Sequence, residues 1–239
     1  TDRLVAISER LKDELCEKFQ IAPPEKFVTI ELGLPLERFL KLPERGLFRQ
    51  KFNLGDDAIL IGTLGRLAPI KNHQKMLAVM AELIHRHPDK DIHLILGGTG
   101  VLENELREST ARLGLMEKVH FAGLVEDLPQ FYADIDMALL TSDNEGTPVT
   151  LLEAQAAGKW VVAPNVGGIA DVLNSQAGSL VMPNQVSAYV AALSSVIETG
   201  SQRAASSLTA REKIVQRFNS SNLSDNIDHL YRILLNKTT

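Results

Sequence analysis

The chain has 239 residues, 44% of them hydrophobic and 23% charged, an ordinary globular composition long enough for one large domain or one domain plus part of another. A formal net charge of -5, with no long block of one sign, gives no general reason to expect nucleic acid or an anionic membrane surface as a partner. The single cysteine, Cys16, rules out an internal disulfide, and no apolar run approaches the roughly 18 residues of a membrane-spanning helix.

The opening TDRLVAISERLKDEL lacks an apolar core and a starting methionine, so it reads as the interior of a longer protein and not as a signal peptide. RLVAIS (3–8) is a short strand, with Ser8 placed to cap the helix that follows. Leu11, Leu15, Cys16 and Phe19 form the apolar stripe of that helix, and Cys16 is expected to be buried. KFVTIELG (26–33) is a second strand. GLPLERFLKLPERG (33–46) has prolines and no sustained period, so it reads as a connector, with a helix of about two turns near FRQKF after it.

AILIGTLGRL (58–67) opens a different pattern, a strand buried on both faces. A helix over 72–87 carries Met76, Leu77, Met80, Leu83 and Ile84 on one face. Strands are then expected in 91–98, 118–123, 136–142, KWVVAP and GSLVMP. Helices are expected over 103–114, after Asp127, over 148–157, in IADVLN, and over 185–199, 202–218 and 221–235. Strands alternating with helices mean an α/β fold, a Rossmann-like parallel sheet with helices on both faces. The break near residues 35–57 is the best domain boundary.

In such a sheet, ligands bind beyond the carboxyl ends of the strands. Four segments fall there. GTLGRLAPIKN (62–72) brings Gly65, Arg66 and Lys71 to a helix start, where two cations suit a diphosphate; solvated loop charges are the alternative. GGTG (97–100) presents backbone N–H groups without side-chain bulk, but a tight strand-to-helix turn explains it equally well. DNEGTPVTLLEAQAAG (143–158) places Glu145 in a loop and Glu153 within the next helix. The carboxylates could accept hydrogen bonds from sugar or ribose hydroxyls, or Glu145 could serve the helix dipole while Glu153 faces solvent. APNVGG (163–168) is explained by turn chemistry.

Other signals are discounted. Asp134 and Asp136 form a D-x-D across a helix end and a strand start, a poor setting for a metal. His85, His87 and His93 do not share a face, so no metal site is assigned. His73 lies beside the proposed phosphate segment and is either a ligand contact or a surface helix residue.

Taken in order, RLVAISERLKDEL, ELGLPLERF, GRLAPIKN, GLVEDLPQFYADIDMALLTS and the E-x7-E segment from Glu145 to Glu153 resemble retaining glycosyltransferase family 4, glycosyl transferases group 1. The match is to the C-terminal, donor-binding half of the two-domain GT-B fold. The resemblance implies that residues 1–35 belong to the acceptor domain, 36–57 connect the domains, 58–218 bind the donor and 219–239 return toward the first domain. It implies catalytic roles for Arg66 and Lys71 on the donor diphosphate and for Glu145 on the hydroxyls of the transferred sugar. Glu153 would bind the ribose hydroxyls, Gly146, Thr147 and Pro148 would lie beside sugar and phosphate, and Gly65, Gly98 and Gly100 would line the nucleotide. Gly123 and Val125 would lie near the base. The family works without a metal, transfers sugar from a nucleotide sugar, most often a UDP-sugar, and retains anomeric configuration. A carbohydrate or lipid-linked glycan acceptor would bind the missing first domain, in bacterial polysaccharide or glycolipid synthesis. The implied location is cytoplasmic, with any peripheral membrane contact carried by that domain.

The sequence also departs from the family pattern. GTPVT puts Thr147 where many relatives have an aromatic, and none of the six histidines takes the role often played by one in the first domain. Without that domain the chain is expected to bind donor without efficient turnover, and Leu230, Ile233 and Leu234 are expected to form an exposed apolar patch. Two alternatives stay open: a non-catalytic nucleotide-sugar-binding or assembly module, and a GT-B-like epimerase or phosphorylase relative.

Overall fold

The computed structural model describes residues 1–236; residues 237–239, the last of the 219–239 segment expected to return toward the first domain, lie outside them. The chain opens with β1 (Leu4–Ala6), α1 (Glu9–Asp13), which runs on into a π-helical turn at Glu14–Lys18, and β2 (Phe27–Thr29). Then come α2 (Leu47–Lys51), β3 (Ile59–Leu64), α3 (His73–Arg86), β4 (Ile92–Gly97), α4 (Glu103–Arg112), β5 (Val119–Gly123), α5 (Leu128–Asp134) and β6 (Met137–Leu139). The remainder is α6 (Val149–Ala156), β7 (Trp160–Pro164), α7 (Ile169–Val172), β8 (Gly178–Val181), α8 (Val186–Glu198), α9 (Gly200–Arg217) and α10 (Ser220–Asn236).

The six strands β3 to β8 form one parallel sheet in the order β5-β4-β3-β6-β7-β8. The chain starts at the centre with β3, moves outward to β5, then returns to the other side of β3. Its direction of winding therefore reverses between β3 and β6, the place where such sheets open a crevice. Alternate residues feed opposite cores. Leu60 and Ile95 join α5, α6 and α9 through Phe131, Leu152 and Ile214, whereas Ile61 and Leu94 join α3, α4 and α8 through Leu77, Leu106 and Leu193. Burial on both faces is why these strands are continuously apolar.

The helix signals hold in their physical detail. Ser8 Oγ accepts from Leu11 N, Asn72 Oδ1 from Lys75 N and Asp127 Oδ1 from Gln130 N. The first segment differs from expectation. Its helix buries no residue, Cys16 is half-buried and Phe19 is 54% exposed. The two three-residue strands beside it, which pair in parallel, offer too little apolar surface to cover it. β2 is accordingly shorter than 26–33, and α2 is a single turn and a half.

The connector is not loose. Leu36, Phe39 and Phe48 enter the core on the α5–α6 face. Asp134 caps α2 by accepting from the backbone of Gly46 and Phe48, and Asp136 accepts from Leu60 N at 2.7 Å while pairing with Arg45 and Arg49. The D-x-D therefore anchors the connector at the amino end of the sheet. At the other end of the chain, α10 buries none of its residues. Of the expected patch only Ile233 is exposed, Leu230 and Leu234 being half-buried, but Tyr231 and Leu235 extend it. Among the described residues no helix is long and apolar enough to cross a membrane.

Candidate functional site

The loops after β3 and β6 flank the reversal point, and hydrogen bonds bind them together. Asp143 N donates to the Ile70 carbonyl at 2.9 Å, and Asn72 Nδ2 and Lys75 Nζ both reach Asp143 Oδ1, at 2.8 and 2.9 Å. Asn72 enters α3 from the left-handed conformation, φ 48°, which turns the chain sharply after Lys71. That turn aims Lys71 across the crevice. Its Nζ lies 2.6 Å from Glu145 Oε1, which also accepts from Ser142 Oγ at 2.6 Å. Both members of the pair are mostly shielded, their side chains 26% and 11% exposed. Residues 74 positions apart in sequence thus form one charged unit.

His73 lines the same small pocket as this pair, 2% exposed, with Nδ1 buried and unpartnered. It is not the surface helix residue that one reading allowed. Burial, aided by the charge of Lys71, lowers its pKa to about 4, so the ring is neutral at pH 7. Thr147 Oγ1, at the start of the loop into α6, is likewise buried without a partner. Gly146 is exposed, while Pro148 is buried and precedes the first turn of α6.

Beside this cluster, an open cleft of ≈ 240 Å³ lies over the ends of β3, β4 and β5, with Gly65, Arg66, Gly98, Leu124, Val125 and Leu128 on its walls. The Arg66 side chain is exposed and makes no hydrogen bond or ion pair among the described residues, leaving its guanidinium available to a ligand. The glycines here are needed for loop packing. A Cβ on Gly98, φ 127°, would lie 2.0 Å from the Gly65 carbonyl oxygen, and one on Gly100 would lie 2.4 Å from that of Leu67. Gly98 borders the cleft, whereas Gly100 is committed to this close approach. Gly123, φ 71°, accepts from Gly98 N at 2.7 Å and so ties the loop before Val125 to the same wall.

Glu153 sits one helical stretch further on, in α6, and is only 6% exposed. The surface alternative for it is therefore removed. Arg38 Nη2 donates to Oε1 at 3.2 Å, and the Tyr132 hydroxyl is 3.2 Å from Oε2. Burial raises the Glu153 pKa, and the contacts with Tyr132 and Arg38 act against that rise.

Sequence reasoning overlooked several neighbours. Gly167 and Gly168, assigned only to turn chemistry, support the Glu145 loop. Cβ atoms there would stand 1.8 Å from the Glu145 carbonyl oxygen and 2.1 Å from that of Gly146, and Gly168 N donates to Glu145 O at 2.9 Å. A glycine pair at the carboxyl end of a strand was the available signal. Arg38 and Tyr132 carried no local signal, because each acts through a partner brought by the tertiary fold, whereas Ser142 reaches Glu145 three residues along the same loop. The candidate metal residues Asp134 and Asp136 lie at the opposite end of the sheet. A cleft of ≈ 400 Å³ opens there, lined in part by Asp136, Lys159, Trp160 and Arg203, and burial lowers the Lys159 pKa to about 8.

Comparison with known proteins agrees with this architecture. The chain is 31% identical over 82% of its length to D-inositol 3-phosphate glycosyltransferase 2 of Catenulispora acidiphila, and 26% identical over 98% to an uncharacterized glycosyltransferase of Methanocaldococcus jannaschii. It spans 48% and 60% of the lengths of those two relatives. Anabaena HepE, solved in complex with UDP, superposes with a TM-score of 0.85 at 22% identity, over 97% of this chain and 64% of that one. WaaG, a glycosyltransferase involved in lipopolysaccharide biosynthesis, superposes with a TM-score of 0.80 at 21% identity, over 95% and 62%. These neighbours establish the GT-B half-fold. The sequence model of Glycosyl transferases group 1 matches residues 44–213, the stretch that contains both loops of the crevice, and the chain belongs to that family.

Proposed function

We propose that this chain is the donor-binding part of a retaining glycosyltransferase, which moves a sugar from a nucleotide diphosphate sugar to an acceptor hydroxyl. The observation that carries the reading is the Lys71–Glu145 pair at the reversal point, with the unpaired Arg66 beside it. Arg66 and Lys71 bind the diphosphate and offset charge on the departing nucleotide, which fixed cations do without a metal. Glu145 accepts hydrogen bonds from the sugar and Glu153 from the ribose. The loop at Gly146, Thr147 and Pro148 lies against sugar and phosphate. The cleft beside Gly65, Gly98, Gly123 and Val125 takes the nucleotide and its base, with Gly100 holding that wall in place.

The donor is a UDP-sugar in this reading, which the UDP-bound HepE neighbour supports. Departure and attack take place on the same face of the sugar, the leaving phosphate helping to take the acceptor proton; Glu145 and Glu153 are not an opposed glycosidase pair. The acceptor, a carbohydrate or lipid-linked glycan of bacterial polysaccharide or glycolipid synthesis, binds elsewhere in the whole protein. That protein works in the cytoplasm, with any peripheral membrane contact outside this chain. The chain alone binds donor without efficient turnover, because closure from the acceptor side is missing.

Calorimetric titration with UDP, GDP and ADP tests this. Saturable binding of one nucleotide, weakened by Glu153→Ala and Lys71→Ala, is expected; a folded chain that binds none of them refutes it. The row of Ile227, Tyr231 and Leu235 exposed along α10 at i, i+4, i+8 spacing favours a second reading, an assembly module that pairs with another chain. That reading requires tight association and indifference to Glu145→Gln.

A further inference from the structure

Three side chains from separate segments meet in one cluster. Arg38 comes from a 3-10 turn at Leu36–Phe39, Tyr132 from α5, and Glu153 itself from α6. Phe39, fully buried, holds the first two in place. Its ring lies 4.7 Å beneath the Arg38 guanidinium and meets the Tyr132 ring edge-on at 5.4 Å. Burial and the Glu153 charge push the Tyr132 pKa well above its usual value, so the hydroxyl keeps its proton. It shares that proton between the Thr150 carbonyl at 3.0 Å and Glu153 Oε2 at 3.2 Å.

An ionised carboxylate has about four lone-pair directions, two on each oxygen. Arg38 occupies one on Oε1 and Tyr132 one on Oε2, so each oxygen keeps one for a ligand. A vicinal diol presents two O–H donors side by side and matches that remainder. A ligand with one hydroxyl would leave the second direction shielded and unsatisfied, which is the expensive case. We propose that Arg38, assisted by Tyr132, is a positioning residue that orients Glu153 to receive both hydroxyls of a ribose, making the site selective for ribonucleotides over 2′-deoxyribonucleotides. The inference rests on the donor-site reading above.

A second consequence separates positioning from mere strapping. Arg38 and Tyr132 are the charged and titratable groups facing Glu153, from the connector turn and from α5, and both oppose the rise that burial imposes. Without Arg38 the carboxyl takes up its proton closer to neutrality, and an acceptor oxygen becomes a donor facing a donor. Loss of Arg38 should therefore add a pH dependence to nucleotide binding, which a lost structural strap would not do.

The test is calorimetric titration of the full chain with UDP, GDP and ADP, and with the 2′-deoxy form of whichever binds, between about pH 5.5 and 8. The unmodified chain should prefer the ribo form by about tenfold or more. Arg38→Met should weaken the ribo form by about tenfold, leave the deoxy form within about threefold, and make affinity fall as pH falls. Arg38→Lys should restore part of the preference. Tyr132→Phe should give a smaller loss of the same kind because its proton is shared, and it carries the test if Arg38→Met does not fold. A ribo-to-deoxy ratio unchanged in the folded variants overturns this inference and leaves the donor site standing. No binding of any nucleotide by the folded, unmodified chain overturns both.

Discussion

The Lys71–Glu145 pair offers the sharpest test, because its two members should respond in opposite directions. The Lys71 ammonium is held 2.6 Å from Glu145 Oε1, which Ser142 Oγ also reaches at 2.6 Å. A diphosphate must compete with Glu145 for that ammonium. Lys71→Ala removes a charge-assisted hydrogen bond of about 1.5–3 kcal/mol from the phosphate, so UDP should bind about 10- to 100-fold more weakly. Glu145→Gln removes the competitor, and UDP, which lacks the transferred sugar proposed as the Glu145 partner, should bind as tightly or a few-fold more tightly. A UDP-sugar should instead lose affinity in Glu145→Gln. Both variants break one largely shielded pair, its side chains 26% and 11% exposed. Each should cost about 1–3 kcal/mol of stability, between the values for exposed and fully buried pairs. Calorimetry with UDP and the UDP-sugar, alongside urea denaturation, reads all of this. Equal losses of stability with UDP affinity unchanged in both variants would reduce the pair to scaffolding. Glu145→Gln weakening UDP as much as Lys71→Ala would refute the competition argument.

Gly168→Ala should displace the Glu145 loop, since its Cβ would stand 2.1 Å from the Gly146 carbonyl oxygen; UDP-sugar affinity should fall more than melting temperature, and a normal affinity would show that the loop accommodates the methyl. Acid should destabilise the fold through buried histidines. His73 and His120 are both held near a pKa of about 4 by burial, so between 6.5 and that value the unfolded chain binds more protons than the folded one, and stability falls as pH drops through this window. Urea midpoints should therefore decline from pH 7 to 4.5, and His73→Gln should flatten the slope; an unaltered slope would mean that His73 is not a contributor. Asp136→Ala should strand the buried Arg49 charge and cost about 3–5 kcal/mol, with added divalent cation making no difference to the unmodified chain's melting curve; metal-dependent stabilisation lost in the variant would reinstate the D-x-D as a cation site.

The core layers were legible in sequence because burial on both faces writes itself as continuous apolar strands, and an amphipathic helix repeats with its own period. Leu60 and Ile61, Met76 and Leu77, and Leu151 and Leu152 took the places their pattern required. Caps at Ser8, Asn72 and Asp127 are local chemistry and were equally readable. Cys16 is only half-buried where its stripe predicts burial, because an apolar stripe reports what a helix could bury, not whether a surface is there to receive it.

The sequence by itself determined the α/β alternation and placed the glycine-rich and charged loops, with Arg66, Lys71, Glu145 and Glu153, at or just beyond the carboxyl ends of the strands. Only the tertiary structure decided which of those groups meet. Strand order put the loop after β3 beside the loop after β6, so that Lys71 reached Glu145, and folding of the connector brought Arg38 across 115 positions to Glu153. Periodicity is a property of neighbours along the chain, whereas these contacts depend on which strand pairs with which. That choice is set by the summed burial of both sheet faces, which no single segment encodes.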